Sequence, residues 1–192
     1  MDKQANSFFT VLNCFLVFFS CACDPCGGEQ GAISIDVSDR TAPDLAWQIV
    51  TRTTTPSGPI SAISIVDDPN YSLTMDQNDV VEITLLGQDN ESGISWLNLQ
   101  GGFGYTCARP DAAIALDGIV PGDQVFFDFA EGECALAAAE YPVFIIDGSN
   151  LCVPDYPNLT GGGYVLTGSG ANANGIIRQD YRITVNIVSV TI

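Results

Sequence analysis

Carboxylates are the side chains of this sequence that are best placed to do chemistry. Asp128, Glu131 and Glu133 fall within one short run, and two opposed carboxylates are what the hydrolysis of a glycosidic bond requires. The chain contains no histidine, which removes the usual general base of serine and cysteine hydrolases. In so acidic a chain, clusters of this kind also arise by chance and form a solvated rim. We therefore expect no enzymatic activity.

A second group of oxygen ligands lies at residues 89–91, where Asp89, Asn90 and Glu91 follow one another. Calcium takes about six to eight oxygen ligands from carboxylates, amides and carbonyls. The spacing of an EF-hand is missing, and Asp and Asn are common in turns for backbone reasons alone. Asp89 and Glu91 are the candidate calcium ligands, and no other cofactor is expected.

The cysteines indicate disulfides rather than a metal site. Cys107, Cys134 and Cys152 lie in the predicted domain, and in an oxidising compartment we expect at least one bridge among them, contributing roughly 3 kcal/mol. Cys26 precedes the domain and is a further possible partner. A zinc site is not expected, because the three domain cysteines lack C-x-x-C spacing and histidine is absent.

The N-terminus carries the pattern of an export signal. An apolar run over residues 8–19 stops at Ser20-Cys21-Ala22-Cys23. A run of about a dozen apolar residues is too short for a membrane-spanning helix, which needs roughly 20, but fits the core of a secretory signal peptide. The sequence predicts a signal over 1–22, a spacer over 23–31 and one domain over 32–192.

The end of this signal resembles the lipobox of bacterial lipoproteins, in which small and apolar residues precede the cysteine that receives the lipid. Phe18-Phe19-Ser20 precedes Cys21, and Ser20-Cys21-Ala22 precedes Cys23. The resemblance implies lipidation of Cys21, which we slightly favour, or of Cys23. It implies a protein anchored in the bacterial cell envelope, facing the periplasm or the cell surface. Ordinary cleavage after Ala22, which would give a secreted protein, is the alternative.

The charge of the chain restricts its partners. It has six Lys plus Arg against 23 Asp plus Glu, for a formal net charge of −17. Nucleic-acid binding depends on Lys and Arg that neutralise phosphates, so a nucleic-acid partner is not expected. Nearly half of the residues are apolar, which is typical of a folded domain with an acidic exterior rather than of a disordered acidic tail.

Hydrophobic residues alternate with period two along most of the chain after residue 31. In one segment Val81, Ile83 and Leu85 fall on one face and Glu82 and Thr84 on the other, which predicts a strand with one buried face. Gly, Pro, Asn and Asp separate such segments at intervals of one strand. The pattern predicts an all-β sandwich. Residues 134–140 are the one helical candidate, sufficient for a helical turn in a loop.

Residues 80–99 resemble the immunoglobulin-like and fibronectin-type sandwiches of bacterial surface proteins. A strand is followed by the turn Asp89-Asn90-Glu91-Ser92-Gly93 and by a second strand that contains Trp96. The resemblance implies a single immunoglobulin-like β-sandwich, in which this corner crosses between the sheets and Trp96 enters the core. Within the predicted domain, no cysteine precedes Trp96 to make the inter-sheet bridge of antibody domains.

Two functions remain open after these observations. The first is a non-enzymatic, envelope-anchored binding or structural domain, with a membrane contact through its lipid and a protein or glycan partner. The glycine-rich segments 161–164 and 168–175 are its candidate flexible loops. The alternative is a secreted carbohydrate-binding or carbohydrate-active protein that uses exposed aromatic residues or the acidic trio. Trp47 and Trp96 both lie in strand patterns, so we expect both in the core.

Overall fold

A computed structural model describes Cys26 and residues 31–53, 58–127 and 134–189 of the chain. The described residues form thirteen strands and one short 3-10 turn, Gly148–Asn150. The strands are β1 (Ala32–Ser34), β2 (Asp44–Thr53), β3 (Ile60–Val66), β4 (Asn70–Asp76), β5 (Asp79–Gln88), β6 (Ile94–Arg109), β7 (Ala112–Val120), β8 (Gln124–Phe126), β9 (Cys134–Leu136), β10 (Ala138–Glu140), β11 (Phe144–Asp147), β12 (Asn158–Asn172) and β13 (Ile177–Val188).

The strands form two sheets, as an all-β sandwich requires. The larger sheet has the order β1-β9-β6-β12-β13-β4, with β7 and β8 also paired to β6. The smaller sheet has the order β10-β5-β2-β3, with β11 also paired to β5. Pairing is antiparallel except between β13 and β4, which run parallel. The predicted alternation places side chains of both sheets in one core. Its largest fully buried members include Trp47, Ile83, Leu97, Leu166 and Ile183.

The corner at residues 89–93 carries the chain from β5 in the smaller sheet to β6 in the larger one. We expected both tryptophans in the core, but only Trp47 is fully buried there. Trp47 is fully buried, at 0 % exposure, and packs against Tyr181 with ring centroids 5.8 Å apart. Trp96 is only partly buried, because Leu97 and Leu99 take the inward positions of β6.

The glycine-rich segments predicted as flexible loops belong instead to strand β12, which pairs with β6 on one side and β13 on the other. Only residues 173–175 lie beyond the strand, in the turn before β13. Glycine is required here for packing: a Cβ at Gly163 would overlap the carbonyl oxygen of Val185, and one at Gly168 would lie 2.7 Å from Leu85 Cδ1. The glycines therefore allow close approach of neighbouring backbone and core side chains.

The helical candidate at residues 134–140 is a strand pair rather than a helical turn. β9 pairs with β1 and β6 in the larger sheet, whereas β10 pairs with β5 in the smaller one. Ala135 is buried, and a Cβ added at Gly93 would overlap its side chain. Pairing and packing against distant strands thus override the local helix propensity of the alanines.

Two disulfides cross-link the domain. Cys107 is bonded to Cys152, and Cys134 is bonded to Cys26. Such bridges persist in oxidising compartments, so they indicate an extracytoplasmic environment. Within the part of the chain that the structure describes, no helix is long and apolar enough to cross a membrane.

Candidate binding surface

Strand β3 forms the outer edge of the smaller sheet and is exposed along most of its length. Its sequence, Ile-Ser-Ala-Ile-Ser-Ile-Val, contains no charge, glycine or proline. Three isoleucines reach the solvent: Ile60, Ile63 and Ile65 are 49 %, 59 % and 67 % exposed. Isoleucine and valine favour the extended backbone. Among the described residues, β3 pairs only with β2, so its other edge presents free backbone N–H and C=O groups.

The other sheet edges are protected in ways that β3 is not. Exposed edges are usually shortened, charged or interrupted by proline, because an unpaired apolar edge invites pairing with another chain. β1, β8 and β10 have only three residues each and β11 has four. The nine-residue edge strand β7 is interrupted by Asp117 and Gly118. β4 alternates polar and apolar residues and ends at Asp76, and its Ser72 hydroxyl lies 3.0 Å from Asn186 Nδ2. β3 has seven uncharged residues, which makes it the edge that is open to a partner strand.

An apolar row continues from β3 across the outer face of the smaller sheet. Ile63 lies opposite Val50, Val50 opposite Glu82, and Glu82 opposite Ile145. Residues directly opposite each other point to the same side of a sheet. Glu82 interrupts the row, but its carboxylate accepts two hydrogen bonds from Arg52, at 2.7 and 3.2 Å. These bonds neutralise the charge and raise the pKa of Arg52.

A groove of about 510 Å³ lies beside β3 on this sheet. Its apolar lining includes Ala46, Ile65 and Leu86, and its acidic residues are Asp44, Asp67 and Glu140. Because Ile65 belongs both to the exposed edge and to the groove, the two features form one continuous surface. This surface combines an apolar floor with a negative rim.

Two of the acidic residues at the groove are held by neighbouring side chains. Asp44 forms an ion pair with Arg178 at 3.2 Å. Asp67 accepts a hydrogen bond of 2.8 Å from the hydroxyl of Tyr181. Burial of the tyrosine, together with this hydrogen bond to a carboxylate, raises the pKa of Tyr181 well above its usual range. The rim next to β3 therefore has a fixed geometry on the side of Asp67.

The predicted calcium ligands differ in their surroundings. Asp89 is buried, and its Oδ1 atom accepts from the backbone N–H groups of Glu91, Ser92 and Gly93 at 3.1, 2.7 and 3.2 Å. Its Oδ2 atom accepts from Asn172 Nδ2 at 3.2 Å. Glu91 is exposed. In the described ranges, no group of three or more His, Cys, Asp or Glu is arranged to hold a metal ion.

A second buried carboxylate, Asp39, meets Asp89 at the same end of the sandwich. Asp39 Oδ2 accepts from Ser92 Oγ at 2.7 Å and from Asn172 Nδ2 at 3.0 Å. Its Oδ1 atom accepts from the hydroxyl and the backbone N–H of Thr41. Hydrogen bonds from Thr41, and then from Ser92, lower the pKa of Asp39 to about 2. The cluster is fully hydrogen-bonded and fastens three segments of the chain together.

The remaining predicted site residues are distributed as follows. Cys107, Cys134 and Cys152 lie in the two disulfides. The lipidation candidates Cys21 and Cys23 and the acidic trio at 128, 131 and 133 lie outside the described residues. The sequence reading missed the exposed edge β3, although its seven uncharged residues between turn signals were a usable sign of an unprotected strand.

Comparison with known proteins gives little further information. No protein-family profile matches the sequence, and no curated protein matches it. The crystal structure of Spo0M, a sporulation control protein from Bacillus subtilis, aligns with a TM-score of 0.30 and 11 % identity. The alignment covers 74 % of this chain and 49 % of Spo0M, so the chain spans about half of that structure. A likeness this weak carries no inference about function.

Proposed function

We propose that this protein is a non-enzymatic binding domain of the bacterial cell envelope, which holds another protein at the edge and outer face of its smaller sheet. The observation that carries the proposal is strand β3, with seven uncharged residues and three exposed isoleucines at an open sheet edge. We further propose that the sandwich is of the immunoglobulin-like type. The crossing between sheets at residues 89–93 supports this type.

The energetics of the exposed isoleucines favour a binding role for β3. Complete burial of one such side chain stabilises a complex by roughly 1.5–3 kcal/mol. The rest of the surface is strongly acidic, which keeps the chain soluble while it presents this edge. Isoleucine at these positions does not contribute to the core, because side chains of β3 other than Val66 are exposed. A binding partner gives these side chains a role.

The envelope location is proposed on two grounds. The end of the export signal implies a lipid on Cys21 or Cys23, and the two disulfides suit an oxidising compartment. Cys26, which follows the proposed lipid site by only a few residues, is bonded to Cys134. An anchored domain would therefore be fastened close to the membrane.

Site-specific photo-cross-linking tests the binding proposal. A benzophenone amino acid replaces Ile65 in the full chain, expressed in the source cells, and Ile119 in β7 provides the control, because it is 82 % exposed but lies on the other sheet. We expect a discrete protein adduct from position 65 and none from position 119. No adduct from position 65, or equal adducts from both positions, would overturn the proposal. A glycan adduct would favour the carbohydrate-binding alternative.

The anchoring proposal has a separate test. Exchange of both Cys21 and Cys23 for serine should move the protein from the membrane to the soluble fraction, because no lipid can then be attached. Mass spectrometry of the wild-type protein should show the lipid. A wild-type protein that is already soluble and carries no lipid mass would contradict lipidation and leave the secreted alternative.

A further inference from the structure

We propose that the partner binds by adding an extended strand to the free edge of β3, and that a lysine or arginine on this strand extends over Ile65 to the acidic rim of the adjacent groove. This inference rests on the proposed function and specifies its partner. The surface involved consists of β3 and the rim residues Asp44, Asp67 and Glu140.

Strand addition follows from the backbone of β3. The strand is paired with β2 on one side only, so alternate N–H and C=O groups on the other side are available to an added strand. Main-chain hydrogen bonds provide affinity in such complexes, and alternate side chains provide specificity. No charged side chain, proline or glycine interrupts β3, so all seven positions can take part.

The face of the sheet determines which partner side chains meet the groove. Ile65 lies opposite Gln48 of β2, on the outer face beside Ile63. A residue of the added strand that lies opposite Ile65 points to the same face, with its Cβ atom about 4.5–5.5 Å away. The groove begins on the other side of Ile65. A side chain must therefore be long enough to pass over Ile65 in order to reach the rim.

Lysine and arginine fit this geometry and its charge. Their methylene stems cover apolar surface while the charged group remains in a polar environment. Ile65 and, beyond it, Ala46 line the path of the stem, and Asp67, which follows β3 directly, is the rim carboxylate within reach of its charged end. Aspartate or glutamate on the partner would meet like charges.

The same charges argue against a second copy of this chain as the partner. The chain has a formal net charge of −17, and a second copy would bring an identical acidic rim to the interface. Like-charge repulsion disfavours such a pairing, whereas opposite charges accelerate and orient association. A cationic strand from a different protein therefore suits this surface better than self-association.

A synthetic peptide tests the preference for a cation. The probe is a blocked heptapeptide in which threonine and valine alternate around one lysine, and a matched peptide carries glutamate in place of the lysine. Titration into the ¹⁵N-labelled domain with intact disulfides should shift the amide signals of β3. We expect roughly two- to fivefold tighter binding of the lysine peptide at low salt. The preference should disappear in 1 M NaCl, where the Debye length is about 3 Å.

Two variants with the same net charge distinguish binding of the lysine at the groove from general attraction to an acidic protein. Asp67→Asn removes the rim carboxylate next to β3 and keeps an oxygen that can accept from Tyr181, whereas Asp117→Asn removes a carboxylate from β7 of the other sheet. We expect only Asp67→Asn to reduce the preference for lysine. An equal reduction in both variants would mean that net charge alone selects the peptide, and would overturn the role of the groove.

Backbone methylation tests strand addition itself. A strand that adds to β3 turns one alternate set of its amides toward the edge, so N-methylation of that set should abolish the β3 shifts and methylation of the other set should leave them. Equal effects of both sets, or no β3 shifts with the unmodified lysine peptide at millimolar concentration, would overturn strand addition.

The outcomes also distinguish this inference from the proposed function. A protein adduct from position 65 together with no peptide-induced shifts of β3 would retain the binding domain and reject strand addition. Concentration-dependent dimers in sedimentation experiments that are lost in Ile65→Lys but not in Ile119→Lys would replace the cationic partner with a second copy.

Discussion

The side-chain amide of Asn172 donates a hydrogen bond of 3.0 Å to Asp39 Oδ2, although 133 residues separate the two in the sequence. The same nitrogen lies 2.8 Å from the carbonyl oxygen of Thr41 and 3.2 Å from Asp89 Oδ2. Asn172 is fully buried. One amide therefore joins the segment before β2, the corner between the sheets and the end of β12.

Substitutions of Asn172 should show how much this junction contributes to stability. Asn172→Ala leaves buried acceptors without a donor and should lower the free energy of unfolding by about 1–3 kcal/mol. Asn172→Asp should cost more, because it places a third carboxylate beside Asp39 and Asp89. Urea denaturation at pH 7 measures both. A milder effect of Asp than of Ala would contradict this account of the cluster.

The stability of the folded protein should depend on pH because of Asp39. Its pKa falls from an ordinary 3.8 to about 2 in the folded protein, so the folded state favours the charged form. The resulting stabilisation is complete above about pH 4 and is lost as the pH falls from there toward 2. Urea midpoints between pH 5 and pH 2 should therefore fall less steeply in Asp39→Asn than in the wild type. The exposed variant Asp155→Asn is the control, and an Asp39→Asn profile parallel to the wild type would contradict the prediction.

Two glycines that lie opposite each other should respond differently to alanine. Gly163 of β12 pairs with Gly104 of β6. A Cβ at Gly163 would overlap the carbonyl oxygen of Val185, whereas one at Gly104 meets nothing within 4 Å. Gly163→Ala should lower the stability by about 1–3 kcal/mol or more, and Gly104→Ala should be neutral or stabilise by roughly 0.4–1 kcal/mol. Thermal unfolding compares them, and equal effects would contradict the packing of β12 against β13.

Removal of each disulfide should destabilise the domain according to the loop that it closes. Cys107 and Cys152 are 45 residues apart, and Cys26 and Cys134 are 108 apart. If each bridge acts by lowering the entropy of the unfolded chain, closure of these loops stabilises the folded state by about 4 and 5 kcal/mol, respectively. Paired serine variants, measured by urea denaturation against the oxidised wild type, should show losses of this order. Unchanged midpoints would mean that the bridges constrain neither the folded nor the unfolded chain.

Period-two alternation was sufficient to predict the all-β class, because the core side chains of β5 and β13 follow it closely. Val81, Ile83 and Leu85 are all buried, as are Ile183 and Val185. The corner at 89–93 was also readable, because its Asp and Gly residues specify a turn. These features depend on local chemistry, which a single sequence contains.

Features that depend on distant partners could not be predicted in the same way. The glycines of β12 look like a flexible loop until β6 and β13 are placed beside them, and the alanines at 135–139 favour a helix until β1 and β5 pair with them. Exposure of Ile63 and Ile65 has a similar origin: they alternate with serine like residues of a buried face, but the register of this edge strand with β2 places them on the outer face of the sheet. The position of a strand within a sheet is a property of topology.

The bridge between Cys26 and Cys134 also determines how the domain would transmit mechanical force. Tension applied to the chain before Cys26 passes directly through the sulfur atoms to β9, so the strands between these cysteines are bypassed by the load. Pulling from both ends could then unravel only the chain that follows Cys134. Reduction of both bridges would release a segment of 108 residues, which adds about 370 Å of extensible length. Because β3 lies between the two cysteines, the bridge keeps this load off the strand.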